Sequence, residues 1–253
     1  MYIFQVSEST LQDKHHKQSI TCLCLSTDGT TLYTGSKDKG LVKWRLPGGT
    51  KLFKIKGGRR GEEETTQGHC HTINCMAVSS DNQFMASGDT NKQIFVWNAD
   101  TMTRYYVFKG HRLDISGLVF RKGTHTLYSS SFDRSVKIWS VDEKSYVETL
   151  FGHQDRIMDI DAGARERTVT AGGRDRSVRV WKIVEESQLV FNVPTYSIDC
   201  VRLLNEEHWV TAGEDGHLAV WGVMRKKPLG RYLRIFASNI PLIQHPFSNY
   251  CSS

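Results

Sequence analysis

The stretch GHRLDISGLVFRKGTHTLYSSSFDRSVKIWSVDEKSYVETLF, residues 110–151, decides the fold. It holds four short runs rich in Val, Ile, Tyr and Phe: ISGLVF (115–120), HTLYSS (125–130), SVKIWS (135–140) and SYVETLF (145–151). Turn formers such as Arg-Lys-Gly and Val-Asp-Glu-Lys separate them, so the runs read as four β-strands. No run sustains a helical period, and an all-β chain is the economical reading.

This stretch is one of a series. Trp139 has counterparts at Trp44, Trp97, Trp181 and Trp221, at successive intervals of 53, 42, 42 and 40 residues. Self-similarity at this period fixes an architecture before any local motif is weighed. Six residues before each Trp stand Asp38, Asn91, Asp133, Asp175 and Asp215. Twenty-eight residues before the first four stand His16, His69, His111 and His153. Four-stranded units repeated radially make a β-propeller, here with five recognisable blades.

Composition sets the outer bounds. The 253 residues suit one sizeable domain or two small ones, and 39% hydrophobic content is ordinary for a folded chain. No stretch approaches the ~20 apolar residues of a membrane span, so no membrane partner is expected. The start, MYIFQVSEST, has neither a basic nor an apolar signal region, and no secretory signal is expected. Cys22, Cys24, Cys70, Cys75, Cys200 and Cys251 are accordingly expected to be reduced thiols. The net charge of +6 permits a nucleic-acid or acidic-protein partner without demanding one.

The repeat resembles the WD-repeat family. Gly68-His69, Gly110-His111 and Gly152-His153 match its opening dipeptide, and SSSFDRSVKIW (129–139) and GGRDRSVRVW (172–181) match its turn and third strand. The resemblance implies a buried hydrogen-bonded set in each blade. The sets expected are His16, Thr34, Asp38 and Trp44; His69, Ser87, Asn91 and Trp97; and His111, Ser129, Asp133 and Trp139. In the fourth, His153, Asp175 and Trp181 are joined by Ala171 where a hydroxyl belongs, with Thr170 one step out of phase. The fifth keeps Thr211, Asp215 and Trp221 but has Val193, followed by Pro194, in place of the His, and should be less firmly locked. A Ser/His/Asp grouping also suggests a hydrolase triad, but catalysis needs one site and this chain has four similar sets. There is no G-x-S-x-G, so no catalytic residue is expected.

Other constellations reduce to packing. His69-Cys70-His71 with Cys75 has metal-ligand residue types, yet His69 belongs to the repeat. Cys22, Cys75 and Cys200 each follow an Ile by two residues and share one first-strand position, where small side chains let inner strands crowd together. No metal is expected. The glycines of residues 54–70 form no phosphate loop, and no cofactor or small-molecule substrate is expected. They belong to the excess in the first interval, and residues 57–67 are expected to be a mobile, solvated loop rather than a partner-binding arm.

Basic residues recur after the turn Asp or Asn: Lys39, Lys92, Arg134 and Arg176. With Lys37, Arg112, Arg156 and Arg174 they would form a broken ring on one rim, suited to neutralising phosphates. Against this, a basic residue after that Asp is common in WD repeats whatever they bind.

The resemblance narrows further. FRKGTHTLYSSSFDRSVKIW (120–139), SYVETLFGHQD (145–155), AGGRDRSVRVWKIVEESQLVF (171–191) and SIDCVRLLNEEH (197–208) are similar to the WD-repeat subunits of the U3 small nucleolar ribonucleoprotein, over roughly residues 16–227. That implies a non-enzymatic nucleolar scaffold that binds U3 small nucleolar RNA at its box B/C region. Its neighbours would be the box C/D core protein that recognises the kink-turn and other small-subunit processome proteins. The process would be pre-ribosomal RNA maturation toward 18S RNA. The competing expectation is a generic protein–protein scaffold without RNA, which an acidic or hydrophobic rim would favour. Such relatives carry seven blades and a charged extension ahead of them, so a truncated or alternatively terminated form is expected here.

The chain is thus expected to divide into three parts. A lead of residues 1–14 contains a candidate closing strand, YIFQV (2–6). The propeller covers 15–236, with blades ending near 56, 109, 151, 191 and 236, the last after a basic turn (Arg225, Lys226, Lys227) and a strand GRYLRIF. An irregular tail, 237–253, follows.

Overall fold

The computed structural model describes residues 15–62, 65–192, 197–223 and 225–232; the lead 1–14, Val193-Pro194 and the tail 237–253 lie outside them. Twenty strands form five four-stranded antiparallel sheets, each a meander in chain order. Blade 1 comprises β1 (Ile20–Leu25), β2 (Thr31–Ser36), β3 (Leu41–Arg45) and β4 (Thr50–Ile55). Blade 2 has β5 (Ile73–Val78), β6 (Phe84–Asp89), β7 (Gln93–Asn98) and β8 (Arg104–Lys109). Blade 3 has β9 (Ile115–Phe120), β10 (Thr126–Ser131), β11 (Ser135–Ser140) and β12 (Ser145–Phe151). Blade 4 has β13 (Asp159–Ala162), β14 (Arg167–Ala171), β15 (Ser177–Lys182) and β16 (Ser187–Asn192). Blade 5 has β17 (Ile198–Leu203), β18 (His208–Gly213), β19 (Leu218–Gly222) and β20 (Arg225–Tyr232). Arg225, Lys226 and Lys227 thus belong to a strand rather than to a turn, with Gly222 facing Arg225 across the pair.

The first strands of consecutive blades stand side by side, β1 on β5, β5 on β9, β9 on β13 and β13 on β17. Small residues make this approach possible. Cys22 faces Gly35, Cys75 faces Gly88 and Cys200 faces Ala212, each one step after a bulge that follows Ile20, Ile73 or Ile198. The glycines admit the next blade: a Cβ on Gly35 would meet Ile73 Cγ2 at 2.9 Å, and one on Gly88 would meet Ile115 Cγ2 at 2.7 Å. Side-chain to backbone bonds reinforce the seams, with Thr21 Oγ1 donating to the Ile73 carbonyl and Asn74 Nδ2 to that of Ile115 at 3.2 Å. Burial pushes the Cys22 thiol up to about 12 and Cys200 to about 11, so both stay protonated and serve as packing groups.

The seam between blades 4 and 5 is ionic instead. Asp159 Oδ2 accepts from the Val201 amide at 3.0 Å and from Arg202 Nη1, while Asp161 Oδ2 accepts from the Leu203 amide at 2.8 Å. Alternate residues of β13 therefore clamp the edge of β17, as the two-residue period of a strand allows.

The described residues of the segment between β4 and β5 are tethered near both ends. Arg104 Nη1 donates to the Thr66 carbonyl at 2.9 Å, Gln67 Nε2 to that of Met102 at 3.5 Å, and Lys39 Nζ to that of Gly58 at 3.1 Å. The tethers reach only Gly58, Thr66 and Gln67, and Arg59, Arg60, Gly61 and Glu62 between them are exposed, as in a solvated loop. The tethers arise from single long-range contacts that carry no periodic signature.

Replacing Gly88 with Ala should force β5 and β9 apart. A cost of about 1–3 kcal/mol is expected, read as a lower urea midpoint at unchanged slope. An unaltered midpoint would show that this seam tolerates a methyl group.

A second seam contact lies at the opposite end from the Asp-bearing hairpins. His125 Nε2 meets Asp81 Oδ2 of blade 2 at 2.8 Å and its Nδ1 meets Asp142 Oδ1 of blade 3 at 2.7 Å. The imidazole edge also packs on Phe84. Burial lowers the affinity of His125 for its proton, but the two carboxylates outweigh it and raise its pKa above the ordinary value. A raised histidine contributes stability fully below its unfolded pKa of about 6.5 and loses it as pH rises through the folded value. The stability gap between the parent chain and His125→Gln should therefore be larger at about pH 5.5 than at about pH 8.5. Equal gaps at both ends of that range would leave only the Phe84 contact.

Candidate nucleic-acid interface

The rim is built by one hydrogen-bonded relay per blade. Trp139 Nε1 donates to Ser129 Oγ at 2.8 Å, Ser129 Oγ lies 2.8 Å from His111 Nε2, and His111 Nδ1 lies 2.9 Å from Asp133 Oδ2. A carboxylate only accepts, so Nδ1 carries the proton, Nε2 accepts from the hydroxyl, and the hydroxyl accepts from the indole; the tautomer is assigned from this network. Asp133 also accepts from the amides of Arg112 at 2.8 Å and Ser135 at 3.0 Å. The relay therefore ties the loop between blades to the hairpin between second and third strands and gathers both at one end.

Blade 1 repeats the pattern. Trp44 Nε1 and His16 Nε2 each lie 2.9 Å from Thr34 Oγ1, and His16 Nδ1 lies 3.3 Å from Asp38 Oδ1. Blade 2 departs from expectation at the carboxylate. His69 Nδ1 meets Asp89 Oδ2 at 2.8 Å, while Asn91 only donates its amide to Asp89 Oδ1. Ser87 and Trp97 complete that set at 2.6 and 2.8 Å. Asn91 is therefore corrected to Asp89, because a neutral amide side chain is a poor substitute for an acceptor of several N–H groups at once. Asp89 at the end of β6 reaches both His69 and the turn amides. An Asn in the turn with an Asp two residues upstream was the available signal.

Blade 4 departs at the hydroxyl. His153 Nε2 lies 2.7 Å and Trp181 Nε1 2.9 Å from Thr170 Oγ1, and His153 Nδ1 lies 2.7 Å from Asp175 Oδ2. Ala171 is buried beside them and takes no part. The reason is register. In every blade the hydroxyl residue faces the residue two before the Trp: Thr34 opposite Val42, Ser87 opposite Phe95, Ser129 opposite Lys137, Thr170 opposite Arg179 and Thr211 opposite Ala219. The β14–β15 hairpin is one residue longer than its neighbours, so counting back from Trp181 misses by one. In blade 5, Trp221 Nε1 donates to Thr211 Oγ1 at 2.9 Å, and Asp215 Oδ2 lies 3.5 Å from the exposed His217 of its own turn.

Charge states follow from the same contacts. Burial would raise the carboxyls of Asp38, Asp133 and Asp175, but hydrogen bonds from their histidines and from backbone amides hold all three below the ordinary range. Burial lowers His69 and His153 despite their carboxylate partners, so both rings are neutral near pH 7.

The cations stand beside these relays. Lys39, Lys92, Arg134 and Arg176 occupy the left-handed position of the hairpin, at φ of 68°, 66°, 71° and 56°, which Gly216 fills in blade 5 at 71°. That backbone demand selects neither charge nor length. Lys37, Lys92, Arg112, Arg134, Arg156, Arg174 and Arg176 are exposed, and Lys39 is half-buried against Gly58. Lys17, absent from the sequence-based set, joins them: its amide donates to Asp38 Oδ2 at 2.6 Å and its side chain is exposed. It holds the position after the relay His that Arg112 holds in blade 3.

Removing the Asp89 carboxylate (Asp89→Ala) should strand His69 and two turn amides, at a cost of about 1–3 kcal/mol. Asn91→Ala should stay within about 0.5 kcal/mol of the parent, as surface changes do. Chemical denaturation of the two variants side by side checks this, and the reverse order would return the role to Asn91.

Residues 7–45, 61–98, 102–140 and 144–182 match the family described as WD domain, G-beta repeat. The chain is 59% identical over 214 residues to human U3 small nucleolar RNA-interacting protein 2, covering 85% of this chain and 45% of that protein. It is 31% identical over 223 residues to the Arabidopsis thaliana U3 snoRNP-associated protein-like YAO, covering 85% and 44%. The solved structure of U3-55K superposes with a TM-score of 0.82 at 50% identity, covering 86% of this chain and 65% of that one. The chain thus spans about half the length of the curated relatives it matches. With its five meander sheets and repeated relays, it belongs to the WD-repeat family.

Proposed function

We propose that this chain is a non-enzymatic, RNA-binding scaffold of the U3 small nucleolar ribonucleoprotein, acting in the nucleolus in pre-ribosomal RNA processing toward 18S RNA. The observation that carries the reading is the rim of exposed cations on a fold 59% identical to a U3 RNA-interacting protein. Each phosphate neutralised releases counterions and adds to affinity without reading bases. The rim would engage the box B/C region of U3 RNA by shape and phosphate contacts, beside the box C/D core protein that recognises the kink-turn. The other small-subunit processome proteins would assemble around it.

The relays argue for a scaffold rather than a hydrolase. In each complete set the hydroxyl is buried and already engaged with both an indole and an imidazole. A nucleophile must be reachable by substrate, and these are locked into the packing.

Crosslinking the tagged chain to RNA in nuclear extract and sequencing the recovered RNA tests the proposal. Enrichment of U3 RNA centred on box B/C is expected. Recovery of proteins without RNA above background would favour the protein-only scaffold.

A further inference from the structure

The cationic rim is uneven. Blade 5 offers Glu214-Asp215-Gly216-His217 where blades 3 and 4 offer Phe132-Asp133-Arg134 and Arg174-Asp175-Arg176. Blade 1 contributes the exposed Lys17 and Lys37, while its Lys39 ammonium is engaged by a carbonyl, and blade 2 contributes Lys92. Five exposed arginines therefore crowd into one sector: Arg112, Arg134, Arg156, Arg174 and Arg176. None of their guanidinium groups makes a hydrogen bond or ion pair among the described residues. The carboxylates nearby are largely spent, Asp133 and Asp175 on the relays and Asp155 on the Arg156 amide at 2.7 Å, leaving Asp114.

Among these arginines stand one aromatic ring and two exposed apolar side chains. The Arg156 guanidinium sits 5.2 Å from the centroid of the half-buried Phe132 ring, joining the hairpin of blade 3 to the loop that enters blade 4. Leu113 and Met158 flank the pair and are 46% and 36% exposed. Their segments lie close together: the Phe132 amide donates to the Asp114 carbonyl at 3.1 Å, and a Cβ on Gly173 would meet Met158 Cγ at 3.0 Å and the Arg156 carbonyl at 3.1 Å.

Cations around an aromatic–guanidinium pair suit a ligand that is both polyanionic and flat-faced. An acidic peptide satisfies only the first condition. A duplex satisfies the first but keeps its base faces stacked on one another. Single-stranded nucleic acid satisfies both, since every unpaired base has a free π-face and each link a phosphate. We propose that the sector between blades 3 and 4 binds a short unpaired stretch of RNA, with a base stacked on the Phe132–Arg156 pair and phosphates held by Arg112, Arg134, Arg174 and Arg176. The inference rests on the RNA reading above and assigns it a place.

Fluorescence anisotropy with a labelled single-stranded RNA of about ten nucleotides tests it, against a duplex of equal length and an acidic peptide. Phe132→Ala, and Phe132→Leu, which keeps apolar bulk without a π-face, should each weaken single-strand binding roughly ten-fold or more. Phe132→Tyr should restore it, and the salt dependence should not move in any of the three. The double change Arg174→Ala with Arg176→Ala should flatten the slope of log K against log salt by about 1.4, two phosphates' worth for a single strand. Lys122→Ala, an exposed cation near His125 at the end opposite the Asp-bearing hairpins, should leave single-strand affinity intact. Equal binding of the duplex, preferential binding of the peptide, or parent-like binding by Phe132→Leu would overturn the assignment. A chain whose Phe132→Leu variant still captures the U3 transcript as the parent does loses only this inference. A parent chain that captures no U3 transcript loses the proposed function as well.

Discussion

An indole N–H buried inside a sheet needs an acceptor, and that requirement organises the molecule. All five repeat tryptophans find a Ser or Thr oxygen at 2.8–2.9 Å. In four blades the hydroxyl donates its hydrogen to a histidine Nε2, and the histidine donates its one N–H, at Nδ1, to a carboxylate. Every donor in the relay has one acceptor, so breaking one link strands its neighbours in a low-dielectric interior. Trp209 supplies the contrast: it is buried beside Trp221, but its Nε1 has no partner among the described residues. It lies outside the repeat, in the blade whose relay stops at the hydroxyl.

The relay also explains which features were legible from residue order. Blade number, strand order and most relay members follow from the tryptophan rhythm, because hydrogen-bonded register repeats whenever hairpins keep one length. The misses at Asn91 and Ala171 have different causes. Counting back from Trp measures chain length, whereas the relay obeys cross-strand geometry. One additional residue in the β14–β15 hairpin separates the two measures, and Thr170 rather than Ala171 faces Arg179. In blade 2 the count is right but the chemistry shifts, and Asp89 serves from two residues upstream. Contacts without periodicity, such as Arg104 on the Thr66 carbonyl, leave no trace in a single sequence.

Carboxylates in this structure divide by sign. In the relays, bonds from imidazole and backbone N–H groups stabilise the charged form, and Asp38, Asp133 and Asp175 are held low. At the seam between blades 4 and 5, burial outweighs the Arg202 charge, and Asp161 is pushed up to about 6 with Asp159 raised as well. Relay carboxylates thus lose their stabilising contribution as pH falls through their folded pKa values, whereas the seam carboxylates are favoured by the proton. Blade 4, which carries both the Asp175 relay and the Asp159–Asp161 seam, is consequently held by groups with opposite responses to acid.

The division bears on what the rim can present. Relay carboxylates stay ionised, but several directed N–H groups occupy their oxygens and turn their lone pairs inward. Among the described residues, Arg134 and Arg176, which follow Asp133 and Asp175, make no side-chain hydrogen bond or ion pair. The left-handed hairpin position would be filled at least as easily by Gly, as Gly216 demonstrates. The fold therefore supplies a fixed set of outward stations and leaves their chemistry open. Glu214 and His217 at the blade 5 stations, against Phe132, Arg134, Arg174 and Arg176 at those of blades 3 and 4, are choices that neither the relay nor the strand pairing requires. Side chains unconstrained by folding are those that a partner selects, so the polarity of the rim is where function is written on an otherwise shared scaffold.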